Sequence, residues 1–213
     1  MLERKLIVDR YLKIPARLTL DGQAPQYNDG DFVRVNGNPF TIEESAGILT
    51  KKSDVSAGAG QKAHRNFVWF PWLPGAISEV PIGATDILTG PMSGCWIFVY
   101  RRNNAVVAGH VGTLNNPVDP KTIAVKAAWN NFATDPGTQI ITGFCPTQGQ
   151  AIPSKGNDGA FLVCALITAS LQPDLYMLWM YSQGKAPAFN GEHRIAALVK
   201  ANPPAPGQNW TIP

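Results

Sequence analysis

The stretch Gly90–Thr113, "GPMSGCWIFVYRRNNAVVAGHVGT", decides how this chain is read. Two apolar runs, Trp96–Tyr100 and Ala105–Val111, flank the polar pair Asn103 and Asn104, which predicts two β-strands joined by a tight turn. Two ordinary strands do not require Cys95 or His110. A hairpin, however, sets its outer ends side by side, so a thiol opening the first strand can meet an imidazole closing the second. That is a nucleophile and a base. A free thiol has a pKa of about 8.5, so attack on a carbonyl at neutral pH needs a nearby histidine or an electropositive backbone site. Ser93 and Gly94 keep the approach to Cys95 uncrowded, and glycine lets backbone N–H groups turn toward a developing oxyanion. Gly109 and Gly112 give the histidine strand similar latitude for close substrate approach. The competing reading is a core cysteine and a satisfied strand histidine.

Working outward, 213 residues with 45% hydrophobic content predict a single domain spanning 1–213 with a real buried core. The 20 glycines and 18 prolines follow no period and read as many turns between short strands. Lys and Arg total 18 against 15 Asp and Glu, and no block of like charge marks a nucleic-acid or lipid footprint. The opening "MLERKLIVDRYLKIPARLTLDG" breaks its apolar residues with charge, unlike a signal peptide, and no apolar run reaches the ~18 residues of a membrane span. The expectation is a soluble protein whose export route, if it has one, is not visible. Three cysteines without a CxxC motif argue against a disulfide framework or a zinc site, and no metal or cofactor is expected. Cys145 and Cys164 sit in or at the end of apolar β-type runs and read as small buried hydrophobes.

Elsewhere a strand is expected around Leu6–Tyr11, and "RLTLDG" and "DFVRVNG" read as strands with one solvated face. "KKSDVSAGAGQKAHRN", Lys51–Asn66, is small, polar and aperiodic, which predicts a mobile surface loop carrying His64 as polar filler. "FVWFPWLPG" reads as an edge strand ending in a packed corner. "DPKTIAVKAAWNNFATD" predicts a helix capped by Asp119, with Pro120 in its first turn, Ile123, Ala127, Ala128 and Phe132 on one face, and a stop at Asp135 and Pro136. "FLVCALITASLQPDLYMLWMYSQG" predicts a second buried hairpin turning at Gln172–Asp174, and the proline-rich tail "ANPPAPGQNWTIP" an extended segment.

"MSGCWIF" followed by a histidine fifteen positions after the cysteine resembles the Ser-Gly-Cys plus histidine signature of bacterial glutamine deamidase toxins, represented by the cytotoxic necrotizing factor catalytic domain and Burkholderia lethal factor. Upstream, "WFPWLPG" is similar to the Leu-Pro-Trp segment of the lethal factor, and "ATDILTGPMSGC" to its approach to the cysteine, with Thr89 in the place of an active-site threonine. The similarity covers residues 67 to 113, about a quarter of the chain. It implies an α+β fold with a mixed β-sandwich core of short strands flanked by a few helices. It also implies hydrolysis of a protein glutamine to glutamate: Cys95 as nucleophile, His110 as acid and base, Thr89 orienting the imidazole, Ser93 and Gly94 supporting the oxyanion. The implied partner is a host protein with a reactive glutamine, a translation-factor helicase or a small GTPase, met in the host cytosol by a monomeric effector. The alternatives are a transglutaminase, a chemoreceptor-type deamidase, and a non-catalytic module recognising a partner through Trp69, Trp72 and Trp96.

Overall fold

The computed structural model describes residues 2–14, 26–36, 38–45, 54–59, 66–90, 92, 94–146, 161–170, 172–182 and 191–213. After a short 3-10 helix, Leu2–Arg4, come β1 (Tyr11–Ile14), β2 (Phe32–Arg34), β3 (Asn38–Ser45), β4 (Asp54–Ala59), β5 (Asn66–Phe70), β6 (Ile77–Pro81) and β7 (Asp86–Thr89). Then follow β8 (Trp96–Arg102), β9 (Ala105–Val111), α1 (Pro120–Thr134), β10 (Gln139–Phe144), β11 (Phe161–Ile167), β12 (Leu175–Ser182) and β13 (Gly191–Lys200).

Eight strands close into a barrel in the order β1-β13-β12-β11-β7-β5-β3-β4, and five form an open sheet in the order β10-β8-β9-β6-β2. The period-2 alternation of side chains sorts the apolar residues into three layers. Leu12, Ile42, Phe67, Leu88, Cys164 and Met180 come only from barrel strands and fill the barrel. Their neighbours Phe70, Ile87, Val163 and Ala165 point the other way, and meet Cys95, Ile97, Val99 and Ala108 of the open sheet in a shared middle layer. The outer face of that sheet, with Phe98, Tyr100 and Val111, is covered by Val125 and Trp129 of α1. The strand-rich, mixed two-sheet architecture expected from the sequence is therefore present, with one sheet closed on itself and, among the described residues, a single α-helix.

The hairpin forms as read. β8 and β9 pair antiparallel from Trp96↔Val111 to Arg102↔Ala105, and Asn103 and Asn104 take positive φ of 49° and 64°. That left-handed pair matches the twist of the strands, and asparagine tolerates it better than most residues. β11 and β12 form the second hairpin. Helix α1 begins as predicted, with the Asp119 carboxylate accepting from Lys121 N at 2.9 Å and Pro120 in the first turn. Its buried side differs: Thr122, Val125 and Trp129 face the sheet, while Ile123 is 54% exposed. Trp129 decides the rotation, because its ring stacks on Phe98 at 3.9 Å and its indole N–H reaches Trp210 O at 2.9 Å.

Three local expectations change. The strand expected from Leu6 begins only at Tyr11, because Asp9, at φ 68°, turns the chain first. β4 lies inside the segment read as a loop: its backbone pairs with both β1 and β3, so tertiary pairing makes a strand where the side chains carry no apolar pattern. β5 is no edge, being flanked by β3 and β7, and Pro71 falls just beyond it. "RLTLDG", His64 and Ser93 lie outside the described residues.

Candidate functional site

Cys95 and His110 emerge on one face of the hairpin. Ile97 is opposite His110, and Cys95, two residues before Ile97, shares its side and the middle layer. The two candidate groups are thus diagonal neighbours, a relationship that separates backbone positions by about 7–8 Å in a sheet. In this arrangement they do not hydrogen-bond. The Cys95 thiol donates to Thr113 O at 3.5 Å. The Thr113 hydroxyl lies 3.8 Å from the sulfur and 3.3 Å from Gly94 O, so its single proton serves one or the other. Burial pushes the Cys95 thiol up to about 11, the Thr113 contacts and the Trp72 indole offsetting it in part.

His110 is 1% exposed and has no hydrogen-bond partner on either ring nitrogen. Phe70 meets it edge-on at 5.7 Å. Burial in this apolar layer lowers its pKa to about 3, so the ring is neutral. Thr89 faces the same layer, in register with Phe70. Its hydroxyl is committed elsewhere, donating to Gly90 O at 3.0 Å and accepting from Ala165 N at 2.7 Å. It does not hold the imidazole; it ties β7 to β11 behind Phe70.

The glycines around the pair divide by role. At Gly112 a Cβ would run into the carbonyl oxygen of Leu73; the Pro71–Gly75 corner packs there, with Gly75 N donating to Gly112 O at 2.8 Å and Gly112 N to Ala76 O at 2.9 Å. At Gly109 the space is filled by the Tyr100 ring, whose hydroxyl donates to Glu79 at 2.6 Å. The latitude expected for substrate at these two positions is therefore taken up by packing. Gly94 differs: it is exposed, and a Cβ there would meet nothing within 4 Å.

Beside Gly94 opens a recess of about 100 Å³, whose walls include Gly94, Thr113, Asn115, Cys145, Lys126 and Ile212. The turn after His110 forms one side and the C-terminal segment another. Two neighbours of the pair are not apparent from the sequence. Thr113 is the hydrogen-bond partner of Cys95, and Cys145 brings its thiol within 3.8 Å of Gly94 O. Thr113 stood in the quoted stretch, but only the third-dimensional approach of β10 to β8 announces Cys145. Of the three tryptophans offered as a recognition surface, Trp69 is core and Trp96 stacks on Phe98; Trp72 alone is substantially exposed, at 45%. Among the described residues no group of three His, Cys, Asp or Glu could hold a metal, and no helix is long and apolar enough to cross a membrane.

No family model matches this chain, and no curated protein or solved structure is significantly similar to it.

Proposed function

We propose that the protein is a cysteine-dependent protein-glutamine deamidase, a bacterial effector acting on a regulatory protein of its host. The observation that carries this reading is the register of the hairpin, which puts a thiol and an imidazole on one face, diagonal to each other, next to an unobstructed glycine peptide.

The resting pair is masked. Burial keeps the proton on Cys95 and off His110, and Thr113 O holds the thiol hydrogen. A glutamine amide entering at Gly94 displaces that contact, and the thiol turns toward the imidazole. Proton transfer from sulfur to nitrogen then forms a thiolate–imidazolium pair whose members stabilise each other. The thiolate attacks the carboxamide carbon while backbone N–H groups at Gly94 and Cys95 take the oxyanion, and His110 passes its proton to the departing ammonia. The remaining thioester is hydrolysed by water that His110 deprotonates, giving glutamate and the free thiol.

Incubation with a host protein extract and mass spectrometry tests this. Deamidation adds about one mass unit at a glutamine, dependent on Cys95 and His110. Cys95→Ser and His110→Ala are each expected to abolish the change while circular dichroism stays that of the parent. Amine adducts in place of the mass gain would make the enzyme a transglutaminase. Full activity in Cys95→Ser would end the reading.

A further inference from the structure

We propose that Cys95 and Cys145 form a reversible dithiol–disulfide site that takes low-molecular-weight disulfides as its oxidising substrates. The two residues come from chain segments fifty positions apart and meet because β10 pairs with β8. Phe144 is opposite Ile97, where that ladder ends. The next residue, Cys145, follows directly on the end of that ladder, at the same end of β8 as Cys95. A disulfide requires the two Cα atoms to stand about 4.4–6.8 Å apart.

Strand alternation would send the two side chains to opposite faces, but Cys95 stands outside the strand and both residues attend one peptide unit. Cys145 Sγ lies 3.8 Å from Gly94 O, Cys95 follows Gly94 directly, and the Thr113 hydroxyl touches that same carbonyl at 3.3 Å and the Cys95 sulfur at 3.8 Å. Gly94 sits in a bend, exposed and with no atom near enough to block a side chain. Rotation of this peptide is the movement that would aim the sulfurs at each other. The recess beside it admits a small disulfide to Cys145, which lines it with Gly94 and Thr113; Cys95, packed on the middle-layer side, does not line it. The charge of Cys145 also registers in the ionisation of Cys95, as expected of close neighbours. Cys164 takes no part, being sealed inside the barrel.

The chemistry is two successive exchanges. The Cys145 thiolate attacks one sulfur of a small disulfide such as oxidised glutathione, the S–S bond breaks, and one small thiolate leaves. Cys95 then attacks the Cys145 sulfur of the mixed disulfide and expels the second small thiolate. The two protein thiols give up two electrons and two protons, and the small disulfide is reduced to two thiols. The consequence for catalysis rests on the function proposed above: a bonded Cys95 is no nucleophile, so the enzyme is silent while oxidised and is released by reduction.

The full chain is treated with oxidised glutathione, alkylated, digested without reductant and mapped by mass spectrometry. The expected product is a Cys95–Cys145 linked peptide, two hydrogens lighter than the separate peptides, reversed by dithiothreitol, with Cys164 unlinked. Cys145→Ser, checked for fold by circular dichroism, should give no intramolecular link. Glutathione stranded on Cys145 with Cys95 still open to alkylation overturns the proposal, as does a link that includes Cys164. On the functional side, oxidation should lower deamidation at least about tenfold in the parent and leave Cys145→Ser far less affected. A cross-linked protein that shows no deamidation when reduced would sink the enzymatic reading and leave the thiol site standing.

Discussion

His110 is held as a neutral imidazole in an apolar layer, and this fixes the direction in which pH acts on the fold. Its folded pKa, about 3, lies below the ordinary 6.5. Above pH 6.5 the ring is neutral in both states; below it, the unfolded chain takes a proton that the folded one refuses. Stability should therefore fall as pH drops from 6.5 toward 3, by about 1.4 kcal/mol per unit for this one group. Urea melts across that window should show a slope reduced by about one proton in His110→Leu. His193, also lowered by burial, leaves a residual slope in the variant. Near neutrality His110→Leu should match or exceed the parent's stability, because it removes two unsatisfied buried nitrogens. Marked destabilisation there would mean the ring is a packing element first.

At the scale of single elements, the hairpin and the helix were legible because each rests on local chemistry. Asn103 and Asn104 favour the turn, and Asp119 and Pro120 start the helix. What was not legible came from partners distant in sequence. The buried face of α1 is set by Phe98 and the tail at Trp210, and β4 exists because β1 and β3 pair with it. The glycines of the motif show the same division. Gly112→Ala should cost about 3 kcal/mol or more, since its methyl would strike the Leu73 carbonyl in a corner that has no room to shift. Gly94→Ala should stay within about 0.5 kcal/mol of the parent in thermal melts. Equal losses at the two positions would contradict this assignment of packing to one and approach to the other.

For the whole molecule, the middle layer matters most, because it joins the barrel to the sheet that carries the hairpin and contains both Cys95 and the Phe70 that touches His110. A strand-rich chain was legible in the sequence, as was a hairpin carrying Cys95 and His110 at its outer end. The sequence did not convey that one sheet closes, because closure is a relation between the first and last strands and leaves no local pattern. Removing Ser53–Gln61, a change that would only trim a surface loop if that segment were one, takes out all of β4 and parts β1 from β3. Such a variant should lose its cooperative thermal transition and bind a hydrophobic dye. A sharp melt at the parent's temperature would show the barrel to be dispensable.

Closure through β1 and β13 also sets the order of events during synthesis. Asp9 and Arg194, which form an ion pair at 3.1 Å, cannot meet until β13 has been synthesised. The middle hairpin can form early from neighbouring residues, but the barrel wall it packs against must wait for the last strand. Throughout translation the nascent chain therefore carries unpaired strand edges and an uncovered apolar layer. Conditions that shield those edges until β13 arrives should raise the yield of folded protein.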